Sequence, residues 1–321
     1  MPQYAFFKGQ IVPLGEAKVS IMTHALNYGT GCFEGIRAYW NAEREQLYVF
    51  QLQAHYKRFL QSCKTLMIKL PYSVDDLCDL TIELLRKEGY RDSTYIRPLA
   101  YKASEIIGVR LHGLQDEFAM FTTPLGKYVE NDEGAKVGTS SWRRIDDNMI
   151  PARAKITGAY INSAFIKTEA ELNGYDEAIV LTHDGHVSEG SAENIWIIKD
   201  GKAITPPVTD NILEGITRNV VKTLLTQELG LESVERPIDR TELYNVEEMF
   251  FCGTGVEVVA IAEVDRRPIG NGKLGPITKR MRDLYATVVR GGMPKYLHWC
   301  TPVYAEQGTV MPKLERAQVN V

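Results

Sequence analysis

The chain has 321 residues, 44% of them hydrophobic and 24% charged, with a net charge of −4 at neutral pH. That length suggests about two domains with enough apolar material for real cores, and so weak an acidity excludes steering towards nucleic acid or an anionic membrane. No apolar run approaches the ~20 residues of a bilayer span, MPQYAFFKGQIVP lacks a signal peptide's plan, and five scattered cysteines without CxxC spacing fit reduced thiols in a cytoplasm.

YAFFKGQIVP reads as a hairpin turning at Lys8-Gly9, and FEGIRAYW and LYVFQL as two further strands. AHYKRFLQSCKTL has helical period. SVDDLCDLTIELLRKEGY reads as a helix with Ser73 as N-cap, Asp76 three residues on and a stop at Gly89. STYIRPLAYKA and EFAMFTTPL are β-rich. The polar stretch GKYVENDEGAK, 126–136, is the expected linker between a small N-terminal α/β domain, 1–125, and a large C-terminal domain, 137–293. The second part opens with KVGTSSW and is expected to hold helices at 159–173, 215–229 and 276–290. Its strands would include EAIVL, ENIWIIK, EEMFFCG and EVVAIAEV, with Asp184-Gly185 and Asp200-Gly201 as hairpin turns. Residues 294–321 form a Pro-punctuated tail with Trp299 and Tyr304 as anchors. The expected fold class is α/β of mixed, α+β character, neither a doubly wound sheet nor a regular barrel.

Several motifs lead nowhere. GNGKLG (Gly270, Gly272, Gly275) has the form of a dinucleotide fingerprint, but it follows the polar DRRPIG and no comparable strand comes after it, so it reads as a glycine turn. HDGH offers His183 and His186 without a third ligand, and no metal site is expected. Glu247-Glu248 reads as a solvated pair. The G-x-S-x-G, H-E-x-x-H and Walker signatures are absent.

What remains is a set of scattered hints. In NILEGITRNVV, Gly215 removes the side chain where a helix start leaves backbone N–H groups unpaired, and Thr217 adds a hydroxyl; such starts bind anions. Arg58 in HYKRF is a fixed cation suited to a phosphate oxygen, or simply a surface helix arginine. Gly253-Thr254-Gly255 ends an apolar strand and lets backbone approach a ligand, or is a plain turn. VSEGSAENIW places Glu189, Glu193 and Asn194 just before a strand too apolar for the surface, and buried acids need partners. Composition and spacing do not separate Lys155, in PARAKITGAY, from the other lysines.

Seven collinear segments decide the matter: ALNYGTGCFEGIRAY, HYKRF, YIRPLAY, AKITGAYINSAF, VSEGSAENIW, LEGITR and FFCGTGVEV. Together they resemble the fold-type IV pyridoxal-phosphate enzymes, two-domain proteins with the cofactor between the domains, and above all the branched-chain amino acid aminotransferases. The resemblance covers nearly the whole chain but not the tail. It implies Lys155 as Schiff-base lysine and proton shuttle, Glu189 on the pyridine nitrogen, and Tyr160 on the ring's phenolic oxygen. The cofactor, pyridoxal 5′-phosphate, would rest its phosphate on the N–H groups of Ile216 and Thr217, with Arg58 and Thr254 completing the cup.

The substrate side follows from the same resemblance. Tyr95 and the N–H groups of Thr254 and Gly255 would hold the α-carboxylate, while Tyr28, Phe33 and Tyr128 would wall an apolar pocket. Ile107 and Val109 match a loop that reaches across from the partner subunit. Arg97 would meet the distal carboxylate of glutamate or 2-oxoglutarate, its plain alternative being a strand arginine facing polar neighbours. Two departures concern the pocket: Leu125 stands where the best-known members carry tryptophan, and Gly255-Val256 replaces two small alanines. The implied activity is transamination of L-leucine, L-isoleucine and L-valine with 2-oxoglutarate, in a cytoplasmic homodimer or higher homo-oligomer without metal, nucleic acid or membrane partners. The rivals are a same-fold transaminase for D-amino acids or (R)-amines, an aminodeoxychorismate-lyase-like enzyme, and a cofactor-free scaffold. FEGIR with YIRP argues against the first two, and the set Lys155, Glu189, Arg58 and Thr217 against the last.

Overall fold

The computed structural model describes residues 2–126 and 134–304. β1 (Tyr4–Phe7) and β2 (Gln10–Pro13) pair antiparallel around Lys8-Gly9. β3 (Gly31–Phe33), β4 (Ile36–Asn41), β5 (Gln46–Phe50), β6 (Thr94–Lys102) and β7 (Asp116–Pro124) complete most of a first sheet, ordered β5-β4-β6-β7-β1-β2 with β3 also on β6. Along β6, buried and half-buried residues alternate without a break, the period of a strand with one face on a core. A short helix, α1 (His24–Tyr28), precedes β3. That core lies under α2 (Leu52–Thr65) and α3 (Val74–Glu88), which bury Leu52, Tyr56, Phe59, Leu77, Leu84 and Leu85 against the sheet. Ser73 and Asp76 form a reciprocal capping box at the start of α3, and Gly89 closes the helix.

The second sheet is mixed. β8 (Ala135–Arg143) begins inside the stretch expected as linker, most of which lies outside the described residues. After α4 (Tyr160–Leu172) come β9 (Glu177–Leu181), β10 (Val187–Gly190), β11 (Asn194–Lys199), β12 (Lys202–Thr205), α5 (Ile216–Gln227) and β13 (Glu232–Glu235). β14 (Glu248–Gly253), β15 (Glu257–Val264), β16 (Arg267–Pro268) and α6 (Pro276–Val289) follow. The order is β10-β9-β8-β15-β14-β11-β12-β13, with β16 on β15. β8 pairs parallel with β9 and β15, while the two Asp-Gly turns close antiparallel hairpins. α5 and α6 pack Val220, Val221, Leu224, Met281 and Tyr285 against Trp196 and Phe250 of this sheet and Tyr39 and Phe50 of the first. The two sheets therefore share a core.

The chain then returns to the first sheet. β17 (Cys300–Pro302) pairs with β5, Trp299 stacks on Tyr296, and Tyr304 packs edge-on against Trp40. Glu248 corrects the reading of Glu247-Glu248 as a solvated pair. Its carboxylate is buried and accepts the N–H groups of Ile277 and Thr278, at 2.9 and 2.7 Å, and the Thr278 hydroxyl. A Cβ at Gly275 would collide with that carboxylate. The glycine turn of GNGKLG thus makes room for a protein carboxylate at the start of α6. Replacing this carboxylate (Glu248→Ala) should cost about 2 kcal/mol of unfolding free energy; a denaturant midpoint equal to wild type would refute the capping role.

Candidate active site

A cavity of about 530 Å³ opens between the sheets. Phe33, Tyr95, Arg97 and Leu125 line it from the first sheet, with Arg58 from α2; Lys155, Tyr160, Glu189, Ile216, Thr217, Thr254, Gly255 and Val256 line it from the second half. The structure thus gathers most of the residues implied by the resemblance. Tyr28 is not among the lining residues; its ring packs on His24 and its hydroxyl accepts the Gly108 N–H at 3.3 Å. Ile107 and Val109 stand out from the surface, 76% and 85% exposed. Tyr128 lies outside the described residues.

Lys155 is held from both sides by first-half elements. Its N–H donates to Ser62 Oγ at 3.1 Å, and its carbonyl accepts the Phe33 N–H at 3.1 Å. The side chain enters the cavity between two aromatic faces, with Nζ 5.0 Å from the Phe33 ring centre and 4.9 Å from that of Tyr160. Nζ also donates to the Tyr160 hydroxyl. A single 3-10 turn, Thr157–Ala159, places that tyrosine at the first residue of α4 and brings the pair together.

Glu189 lies buried on β10. Arg144 Nη2 reaches Glu189 Oε1 at 2.8 Å, and Oε2 accepts Asn194 Nδ2 and the Leu213 N–H, each at 3.0 Å. Burial pushes this carboxyl above its ordinary range, and Arg144 with the Leu213 N–H pulls it back. It is an oriented acid suited to a cationic N–H. Four residues on, Glu193 differs: burial first, then the charge of Glu177, pushes it up to about 8.

At the start of α5 the pattern of α6 is reversed. Gly215 is the N-cap and supplies no side-chain cap, and a Cβ there would land on Asn194 Oδ1. The N–H groups of Ile216 and Thr217 belong to the unpaired first turn, Thr217 is buried, and the turn Gly253-Thr254-Gly255 stands across from them on the same cavity. Such a cup accepts an anion.

Arg58 is not a surface arginine. Its Nε and Nη2 grip Glu34 at 2.7 and 2.8 Å, and Nη1 donates to the Glu214 carbonyl at 2.8 Å, just ahead of α5. His55, one turn earlier on α2, contacts the same carboxylate at 2.8 Å. Burial pushes His55 below its ordinary 6.5, which makes it a neutral donor. Burial alone would raise Glu34, but the charge of Arg58 and the hydrogen bonds from His55 and Arg58 outweigh it and hold the carboxyl well below the usual range.

Arg97 lies over the Phe33 ring at 4.4 Å and donates to the Tyr95 hydroxyl at 2.7 Å. Its Nε is buried without an acceptor. Arg37, quoted only as part of FEGIR, is also buried: it meets the Gly255 carbonyl and Glu257, each at 3.0 Å, and the Gly126 carbonyl at 2.7 Å. It ties the turn after β14 to the end of β7. Glu34 and Arg37 were within reach of a sequence reading, as charged residues inside an apolar strand pair. Arg144 left no signal. Among the described residues no group of three or more His, Cys, Asp or Glu could hold a metal ion, and no helix is long and apolar enough to cross a membrane.

Known proteins bear on this geometry. The sequence model of the amino-transferase class IV family matches residues 31–264. A probable branched-chain-amino-acid aminotransferase of Aquifex aeolicus (strain VF5) is 52% identical over 301 residues, 94% of this chain and 97% of that relative. The branched-chain-amino-acid aminotransferase of Pseudomonas aeruginosa is 40% identical over 93% of this chain and 96% of its own. Among solved structures, a branched-chain aminotransferase of Thermoproteus uzoniensis with norvaline is 43% identical at a TM-score of 0.90, covering 95% of this chain and 100% of that one. The Thermobaculum terrenum branched-chain amino acid aminotransferase in PLP-form gives 38% and 0.91, with 95% and 99% coverage.

The Glu34 cluster has a pH signature. A carboxyl depressed below its ordinary 4.5 contributes stability that is complete above that pH and drains away as the pH falls towards its folded value. Glu34→Gln should lose about 3 kcal/mol at pH 7, because it strands a buried guanidinium, and its stability should fall less steeply than wild type below pH 4.5. Parallel acid limbs in the two unfolding profiles would contradict this.

Proposed function

The chain belongs to the class IV aminotransferases, and from that premise we propose that it exchanges the amino groups of L-leucine, L-isoleucine and L-valine with 2-oxoglutarate, using pyridoxal 5′-phosphate. The observation that carries this reading is that one cavity is lined by an uncapped helix start, a tyrosine-bonded lysine and a buried acid. Those three points suit a phosphate, a reactive aldehyde and a pyridine nitrogen. When bound, the cofactor supplies an aldehyde for amines and a protonated ring that takes up the electron pair left at the amino-acid Cα.

The chain's own residues do the rest. Lys155 Nζ would hold the cofactor's aldehyde carbon and, when free, would take the proton from the amino-acid Cα. Tyr160 holds that amine in place and donates to the ring's phenolic oxygen. Glu189, oriented by Arg144, Asn194 and Leu213, keeps the proton on the ring nitrogen. The N–H groups of Ile216 and Thr217 take the phosphate, with Thr254 and the free edge of Arg58. Tyr95 and the N–H groups of Thr254 and Gly255 take the α-carboxylate, on a turn steadied by Arg37. Phe33, Leu125 and Val256 enclose the branched side chain, and Arg97, which has no carboxylate partner among the described residues, receives the distal carboxylate of glutamate.

We propose further that the protein is organised as two domains about the cofactor, residues 1–125 and 137–293, and works in the cytoplasm as a homodimer at least. Ile21, Leu26, Ile107 and Val109 are exposed apolar side chains, 84%, 62%, 76% and 85% accessible, on two segments joined by the hydrogen bond between His24 and the Gly108 carbonyl, and exposed apolar patches mark interfaces. At such an interface Tyr28, Ile107 and Val109 would serve the partner's cavity. Tyr128 would wall the pocket with them. None of the relatives and solved structures named above favours the D-amino-acid or lyase readings.

Purified with the vitamin-derived cofactor, the protein should be yellow and irreversibly bleached by borohydride, and Lys155→Ala should lose both colour trapping and turnover. L-Leucine should react and D-leucine should not; the reverse preference would sink the substrate assignment. Arg97→Met should raise the KM for 2-oxoglutarate by ~10- to 100-fold, the worth of one or two charged hydrogen bonds, while that for L-leucine stays nearly constant. Equal effects on both substrates would remove Arg97 from the distal-carboxylate role.

A further inference from the structure

Two thiols lie beneath the lysine, and the reaction above uses neither. Cys32 is the middle residue of β3, and Cys63 faces it from the last turns of α2, with the Sγ atoms 3.6 Å apart. Both are sealed from solvent, at 0% and 2% exposure. Each neighbours an anchor of Lys155: Phe33, next after Cys32, donates to the lysine carbonyl, and Ser62, just before Cys63, accepts the lysine N–H. Cys32 also bridges Ile156. We propose that Cys32 and Cys63 are a redox modification site, where hydrogen peroxide forms a disulfide that straps β3 to α2 under Lys155 and slows turnover.

The chemistry balances with peroxide as the oxidant. One sulfur attacks a peroxide oxygen, the O–O bond breaks, and a sulfenic acid and a water result. The second thiol attacks that sulfur, the S–S bond forms, and the sulfenic oxygen leaves as a second water. Two thiols lose two electrons, and one peroxide gains them.

A disulfide holds its sulfurs ~2.05 Å apart, so the pair must close by roughly 1.5 Å, the difference from the observed 3.6 Å. That movement falls on the two segments that fix the lysine main chain, and displacement on this scale is costly to a reacting group. The route in is the end of α2, where Met67, four residues past Cys63, is 55% exposed with φ at 54°; helix ends open most readily. The hydrogen bond to Cys63, then burial, holds the Cys32 thiol far above its ordinary range. Reaction therefore waits on that opening, and the pair answers sustained oxidation more than a brief pulse.

The cross-link rests on thiol geometry alone, while its effect on turnover rests on the Lys155 assignment. Full-length holoenzyme should be treated with hydrogen peroxide, digested without reductant and mapped by mass spectrometry. One linked peptide joining Cys32 to Cys63 is expected, with turnover reduced about tenfold or more and both changes reversed by dithiothreitol. Cys63→Ala and Cys32→Ala should each lack the link and keep their activity through the same treatment. Unlinked, over-oxidised or untouched thiols in the wild-type map overturn the proposal, as does a link that leaves turnover unchanged. A wild-type enzyme without borohydride-trapped cofactor would instead condemn the lysine assignment, and the peptide map would still decide the cross-link.

Discussion

The rest of the molecule depends on one buried ion pair, Glu34 with Arg58, because it fastens the first sheet to the anion cup. Glu34 follows β3, Arg58 stands on α2, and the guanidinium's third nitrogen donates to the Glu214 carbonyl ahead of α5. Few stabilising reasons favour such a pair: burying two charges costs about as much as their attraction returns, and apolar residues of equal volume often do as well. What the pair supplies is position. A guanidinium gripped along two edges cannot turn, so its remaining N–H groups point one way, and the helix start they adjoin stays in register with the strand that abuts Lys155.

Three helix starts satisfy their first turns in different ways. α3 satisfies its first turn with its own Ser73 and Asp76, and α6 with the carboxylate of Glu248 from the neighbouring strand. α5 has neither, and Asn194, whose Oδ1 occupies the place of a Cβ on Gly215, turns its amide nitrogen to Glu189 and the Leu213 carbonyl instead. One asparagine thereby joins the acid and the helix start into a single frame. A glycine before a helix is an anion site only where the protein brings no anion of its own.

Local signals in the sequence carried well: the hairpin at Lys8-Gly9, the capping box at Ser73, the wholly buried EAIVL strand and the Asp-Gly turns all have causes within a few residues. The misreadings have distant causes. Glu248 looks solvated beside Glu247 until α6 arrives some thirty positions later to use its carboxylate. Arg58 looks like an exposed helix residue until the turn after β3 brings Glu34. For the site, Gly215, Thr217 and Glu189 had physical hints, but Lys155 had none. Its distinguishing features are the hydrogen bonds of its main chain to Ser62 and Phe33, which no spacing along the chain encodes.

Charge around the cavity follows from the same frame. Arg58 is matched by Glu34 and Arg144 by Glu189, while Lys167 is matched by Glu177. Burial and the charge of Glu177 push Glu193 up to about 8, which favours its neutral form. Arg97 and Lys155 are then the basic groups of the cavity wall without a carboxylate partner among the described residues, and both lie against the Phe33 ring. An acid left ionised at position 193 would spoil that balance. Burial against Glu177 disfavours a charge there, so the cavity's field favours ligands that carry negative charge.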